Sequence, residues 1–302
     1  MKIQTFSIVV GTEACNAGCQ FCVSHTTGFD TLPPNREINK KNLHKASILA
    51  KQSGCTTVLL TGKGEPTLYP DEITKYLKKL QAYDFPFIEL QTNAIQIGHE
   101  VLEPPRGDKM LPLHEWSELG LNTVAISVVD IDSANNQQVY LHHRPNVKYP
   151  DLQKTVERLH TCGFSVRLCL MMHKGMIDSF SKVEKVAEWC KKNGVEQLTI
   201  RPIRRPLLPV LGSDSFQQYI NNNGLTETQI TNISLSLTTD ATHILTLMNG
   251  AHKAKVYDLH GQNICLSDCL TVEPVSDDIR TLIFFSDGKL FFDWQFTGAR
   301  LL

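Results

Sequence analysis

No stretch of the sequence approaches the roughly 20 consecutive apolar residues that a membrane-spanning helix requires. The N-terminus, Met1 to Thr5, lacks the apolar core and small-residue cleavage site of a secretory signal. Surplus charge is missing too: 30 Lys and Arg face 31 Asp and Glu, a net charge of -1. Such a balance gives no global attraction to nucleic acid, so any anion binding has to come from local patches. Low-complexity tails and solenoid repeats are absent. These absences lead to the expectation of a soluble, cytoplasmic protein with no membrane partner. A chain of 302 residues suffices for one large α/β domain, or for a barrel with a small appendage.

Cysteine, by contrast, is plentiful. There are nine, an odd number, which suits a reducing compartment better than a disulfide framework. Three of them, Cys15, Cys19 and Cys22, fall within eight residues, directly after the apolar run Phe6 to Val10. Three thiolates from one short loop can hold three corners of a [4Fe-4S] cluster and leave its fourth iron open. Gly18 lets the loop wrap closely, and Phe21 offers an aromatic face beside the cluster. Other readings of the loop stand beside this one: a structural zinc site completed by His25, a redox dithiol, or plain buried cysteines.

The remaining chain alternates apolar strands with amphipathic helices. Strands are expected at 57–61, 87–91, 123–129, 165–171 and 197–203, with a helix before each. Between helix and strand stands a glycine (Gly54, Gly120, Gly163 and Gly194), suited to the left-handed turn that ends a helix. Residues 94 to 112 read as an irregular insertion, carrying Pro104-Pro105 and Gly107. Repeated strand–helix units with near-continuous apolar strands predict an α/β fold, a partial (β/α)6 TIM-like barrel over residues 1–206. Residues 207–302 are expected to form a loop-rich linker, with one helix after Thr226, and a small C-terminal antiparallel β module with a hairpin at Asp287-Gly288. Reacting groups belong at the C-terminal ends of parallel strands. The cysteine loop, Gly62 to Glu65, Asn93, Ser127 and Arg201 all fall there.

Cys-x3-Cys-x-Phe-Cys after the first strand, with Gly64-Glu65-Pro66 after the second, resembles the radical S-adenosylmethionine (SAM) enzymes over residues 5 to 206. The resemblance implies that Cys15, Cys19 and Cys22 hold a [4Fe-4S] cluster whose open iron chelates SAM. It implies reductive cleavage of SAM to a 5′-deoxyadenosyl radical that takes a hydrogen atom from substrate, with electrons from a reductant such as flavodoxin or ferredoxin. Gly62, Gly64 and Glu65 match the strand end that holds the SAM amino group, although Lys63 replaces a glycine of the family's pattern. By the same resemblance Ser127 matches a ribose contact, Arg167 a partner of the SAM carboxylate, and Asn93 a position facing cofactor or substrate.

Arg201, Arg204 and Arg205, at the end of the sixth strand, can grip phosphate or carboxylate bidentately. With His142-His143-Arg144 they favour an anionic substrate: a small molecule, a nucleotide or nucleic-acid base, or a peptide. A glycyl-radical activase is a narrower alternative within the family. Cys265 and Cys269 are too few for an auxiliary cluster of their own and read as buried thiols or a hydrogen donor.

Overall fold

The computed structural model describes residues 3–26, 37–102, 110–203, 214–247, 254–267, 279–294 and 297–302. Its frame is six parallel strands in sequential order: β1 (Thr5–Val9), β2 (Thr57–Thr61), β3 (Phe87–Thr92), β4 (Thr123–Val128), β5 (Ser165–Met172) and β6 (Gln197–Pro202). Together with the helices between them they form an α/β partial barrel. One face of the strands is consistently apolar. Phe6, Ile8, Val58, Leu60, Ile88, Leu90, Val124, Ile126, Leu168, Leu170, Leu198 and Ile200 join the main core. The alternate residues (Ser7, Glu89, Gln91, Ser127, Arg167, Cys169, Thr199, Arg201) form a polar inner face. That alternation lets the barrel bury its wall and keep a chemically equipped interior.

Outside the sheet lie α1 (Lys40–Gln52), α2 (Pro70–Leu80), α3 (Ile95–Leu102), α4 (Leu113–Glu118), α5 (Ser133–Tyr140), α6 (Leu152–Thr161) and α7 (Phe180–Lys192). On α2, Ile73, Tyr76, Leu77 and Leu80 recur at helical spacing and are fully or almost fully buried. Each such side chain contributes about 1.5–3 kcal/mol on leaving water. Gly54, Gly120, Gly163 and Gly194 have φ between +72° and +93°, the left-handed turns that return each helix to the sheet.

Three expectations are corrected. The region read as irregular from Ala94 begins with α3, whose Gly98 is a packing residue. A Cβ there would stand 2.4 Å from Pro150 Cβ and 2.6 Å from Thr155 Oγ1, so the helix crosses α6 at a distance only glycine permits. The linker after Pro206 contains an additional helix, α8 (Asp214–Asn223), ahead of the expected helix after Thr226, α9 (Glu227–Asp240). Among the polar residues of α8, Phe216 and Ile220, four apart, are buried and anchor the helix. The third correction concerns the C-terminal strands. The antiparallel module is present as β7 (Thr242–Leu247), β8 (Ala254–Leu259) and β9 (Gln262–Ser267), with β9 parallel to β6. However, β10 (Thr281–Phe284) joins the opposite edge, parallel to β1, and β11 (Leu290–Phe291) pairs with β10. Leu282, Ile283 and Phe284 are apolar on both faces and wholly buried, which suits a strand inside the sheet. Among the described residues no helix is long and apolar enough to cross a membrane.

Candidate functional site at the barrel mouth

The cysteine loop leaves the C-terminal end of β1 and is fastened to the ends of β2 and β3. Glu65 N donates to Ala14 O at 3.0 Å. A Cβ at Gly64 would stand 2.1 Å from the same carbonyl oxygen, so the turn after β2 approaches the loop as closely as backbone allows. Lys63 is buried, and its Nζ meets the half-exposed Glu13 carboxylate at 3.0 Å. The lysine that departs from the expected glycine therefore ties this turn to the residues just before Cys15. Asn93, at the end of β3, donates from Nδ2 to Asn16 Oδ1 at 2.7 Å and to Cys15 Sγ at 3.7 Å.

Glu65 is the knot of this arrangement. Its Oε1 accepts from Thr67 N (3.0 Å), Thr67 Oγ1 (2.8 Å) and Thr92 Oγ1 (2.5 Å), while Oε2 accepts from Asn93 N at 2.9 Å. One carboxylate thus caps the short turn after β2 and joins it to the end of β3. Burial pushes its pKa up, against the four hydrogen bonds that pull it down.

A second apolar cluster packs beneath the loop. Phe21 is buried, its ring centroid 4.9 Å from His173 and 6.3 Å from both Tyr140 and Tyr219. His173 Nδ1 lies 3.1 Å from the Met171 carbonyl, which can only accept, so Nδ1 carries the proton. Its Nε2, 3.0 Å from Tyr219 Oη, therefore accepts from that hydroxyl. Tyr219 belongs to α8, so the helix that composition hid fastens the cysteine loop from below. His142 and His143 flank the loop at Gly18, with His143 Nδ1 2.4 Å from where a Cβ would stand.

The three thiols are free, with Cys15 exposed and Cys19 and Cys22 partly so. Burial first, and then the neighbouring thiolates, push Cys19 well above the ordinary thiol range. Thiolates that repel one another are a soft, anionic donor set, the kind a cationic iron–sulfur centre neutralises. Among the described residues, no three His, Cys, Asp or Glu side chains are disposed to hold a single ion. A tetrahedral zinc gathers its thiolates at one atom, whereas a cubane takes each at a different iron. Three thiols on one short loop are a donor set that suits a cluster. The side chain of His25, fourth donor of the zinc alternative, lies outside the described residues.

The family model for the Radical SAM superfamily matches residues 9–190. The chain belongs to that superfamily. Its fold is similar to Streptococcus suis SuiB bound to precursor peptide SuiA, with a TM-score of 0.58 and 14% identity over 97% of this chain and 60% of that one. Polyhistidine-tagged anSMEcpe with bound AdoMet is similar at a TM-score of 0.57 and 14% identity, over 99% of this chain and 74% of the other. The chain therefore spans about three fifths of SuiB. No curated protein matches it. An iron–sulfur cluster and SAM are what membership of the superfamily implies.

Within that radical SAM frame, the structure gathers Cys15, Cys19, Cys22, Phe21, Gly62, Gly64, Glu65 and Asn93 at one end of the sheet. Ser127 lies on the inner face near the end of β4, half-buried. Arg167 reaches across β4 to form an ion pair with Glu89, whose Oε1 also accepts from Gln91 Nε2 at 3.1 Å. Between them stands Ala125, paired in register with both Gln91 and Arg167, and its small side chain leaves the passage open. Arg201 is on the inner face of β6; Arg204, Arg205 and Cys269 lie outside the described residues. Sequence reasoning missed Glu13, Thr92, His173 and Tyr219. Thr92, directly before Asn93, had a signal in its place at a strand end; the others had none.

Burial lowers the His173 pKa to about 4, from 6.5. Between those values the unfolded chain binds a proton that the folded protein refuses, so stability is full above pH 6.5 and falls as pH drops towards 4. The expected loss is on the order of 3 kcal/mol. Urea midpoints at pH 7 and pH 5 should differ less for His173→Gln than for wild type, because the amide keeps both hydrogen bonds without titrating. Equal pH dependence in the two proteins would refute the assignment.

Proposed function

We propose that this protein is a radical SAM enzyme that binds a [4Fe-4S] cluster through Cys15, Cys19 and Cys22 and removes a hydrogen atom from an anionic substrate. The observation that carries this reading is the convergence of the three thiols with Glu65 and Asn93, from three strand ends, at one mouth of the barrel. When bound, the cluster and SAM supply a one-electron reductive cleavage that yields a 5′-deoxyadenosyl radical.

The chain's own task is to hold, orient and exclude water. The Lys63–Glu13 pair and the Glu65 N–Ala14 O bond fix the loop's entry, Asn93 orients Cys15, and Phe21 anchors the stretch between Cys19 and Cys22. Gly62 and Gly64 are the proposed hold on the SAM ammonium group, while Glu65 fastens that turn through its hydrogen bonds. Ser127 is the proposed contact of a ribose hydroxyl. Arg167, tied to Glu89, is the proposed partner of the SAM carboxylate through its remaining N–H groups.

The inner-face arginines support an anionic substrate, and a peptide is the class we favour, since solved structures of this fold include SuiB bound to precursor peptide SuiA and anSMEcpe with bound AdoMet and Cp18Cys peptide. A flavodoxin- or ferredoxin-type reductant in the cytoplasm would supply the electron. The test is anaerobic reconstitution with iron and sulfide, then dithionite and SAM, with 5′-deoxyadenosine read by chromatography. The expected result is a brown protein that forms the nucleoside. A colourless protein holding one zinc, or a full cluster that yields no nucleoside, would refute the proposal.

A further inference from the structure

Tyr140, the last residue of α5, is 2% exposed, and its Oη is buried without a hydrogen-bond partner among the described residues. A buried hydroxyl left unpaired is costly, and each one that a native structure keeps calls for an explanation. The cysteine loop is wrapped around this side chain. Gly18 N donates to the Tyr140 carbonyl at 2.8 Å, and the Phe21 ring meets the tyrosine ring edge-on at 6.3 Å. Cys19, between those two loop residues, packs on the same apolar cluster. The tyrosine therefore meets the loop at two points, one on either side of Cys19. Burial first, and then Cys19, Tyr149, Cys169 and Cys22 in turn, push its pKa well above the ordinary phenol range. The hydroxyl thus keeps its proton and is available as a donor. Three of the four side chains that act on it are thiols, and two of those belong to the loop.

We infer that the Tyr140 hydroxyl donates a hydrogen bond to a sulfur of the iron–sulfur cluster held by this loop, and so sets how readily the cluster accepts an electron. Hydrogen bonds to the sulfurs are among the levers by which a protein tunes such a centre. Reduction adds negative charge, and a donor aimed at that charge holds the reduced form more strongly than the oxidised one. Tyr140 therefore raises the reduction potential, which makes the electron easier to deliver. It acts through the cluster and makes or breaks no bond of the substrate. The inference rests on the proposed function, because it requires a cluster on Cys15, Cys19 and Cys22.

The test is a pair of variants that each remove one oxygen and keep the ring. Tyr140→Phe takes the hydroxyl from beneath the loop. Tyr76→Phe takes one equally buried and unpaired from the main core, where Glu72 and Asp287 act on it rather than thiols. Without the cluster, both variants should match or exceed the urea midpoint of wild type, since each loses an unsatisfied group. After anaerobic reconstitution, potentiometric titration followed by electron paramagnetic resonance reads the midpoint potential. In Tyr140→Phe the ratio of reduced to oxidised cluster at a fixed potential is expected to fall about threefold to tenfold, which for one electron is about 28–59 mV. Tyr76→Phe should leave it unchanged, and the shift should be present before SAM is added. Equal midpoints in the two variants, or a shift that appears only with SAM, overturn the inference. So does a cluster-free Tyr140→Phe protein less stable than wild type, because the hydroxyl would then already have a partner. A wild-type protein that takes up no cluster refutes the proposed function as well, whereas a loaded wild type with an unshifted Tyr140→Phe midpoint refutes the inference alone.

Discussion

Replacing Cys19 by alanine is expected to abolish cluster binding and reduce 5′-deoxyadenosine to background, while the protein still folds. Cys19 is the middle thiol of the loop and packs on the second apolar cluster beside Phe21 and Tyr140. Its removal leaves two thiolates, too few to retain an iron–sulfur cluster from this loop. The side chain lost is small, and the loop keeps the Gly18 N–Tyr140 O bond at 2.8 Å and the Phe21 anchor. Cys190→Ala is the matching control: that thiol is fully buried in α7, part of the main core. Its loss should lower stability and leave iron content alone. Iron and sulfide per chain, with circular dichroism for folding, separate the two. If Cys19→Ala bound as much iron as wild type, the ligand assignment would be wrong.

The second large effect is expected at Glu65, and it should appear in stability before activity. Glu65→Ala strips the partner from two backbone N–H groups and two hydroxyls in a buried setting. Two buried amides left unpaired alone cost about 2–6 kcal/mol. Glu65→Gln keeps the three bonds at Oε1 if its oxygen takes that position, but then sets an NH2 group against the Asn93 N–H. That clash of donors should cost about 1–3 kcal/mol. The order wild type, Gln, Ala in urea midpoint is the expected outcome, with iron uptake falling in the same order because Asn93 no longer steadies Cys15 and Asn16. Wild-type stability and iron content in Glu65→Ala would contradict the role given to this residue.

The parallel frame was legible because its signals are local. A glycine closing each helix and an apolar strand shortly after it announce one unit at a time, and the cysteine spacing announces itself within eight residues. The interior was not legible in the same way. Arg167 reads as a free cation until β3 is placed two strands away and Glu89 is seen across Ala125. Glu65 matches a known motif, yet its four donors come from two separate strand ends. The helix α8 hides behind glutamines and asparagines because it buries only Phe216 and Ile220 firmly. The last hairpin was recognised at Asp287-Gly288, but a hairpin's sequence does not say which edge of a sheet it will join. These features depend on residues distant in the chain, and periodicity does not report distance.

That β10 is a neighbour of β1 also sets a timetable. Thr5 Oγ1 bonds to Thr281 Oγ1 at 3.1 Å, across 276 positions of chain. At about 5–20 residues per second on the ribosome, β1 waits roughly 14–55 s for this partner. Throughout that interval the strand that leads into the cysteine loop has one side unpaired. A cell that loads iron early does so on an open sheet edge, and one that loads it late does so on a finished wall.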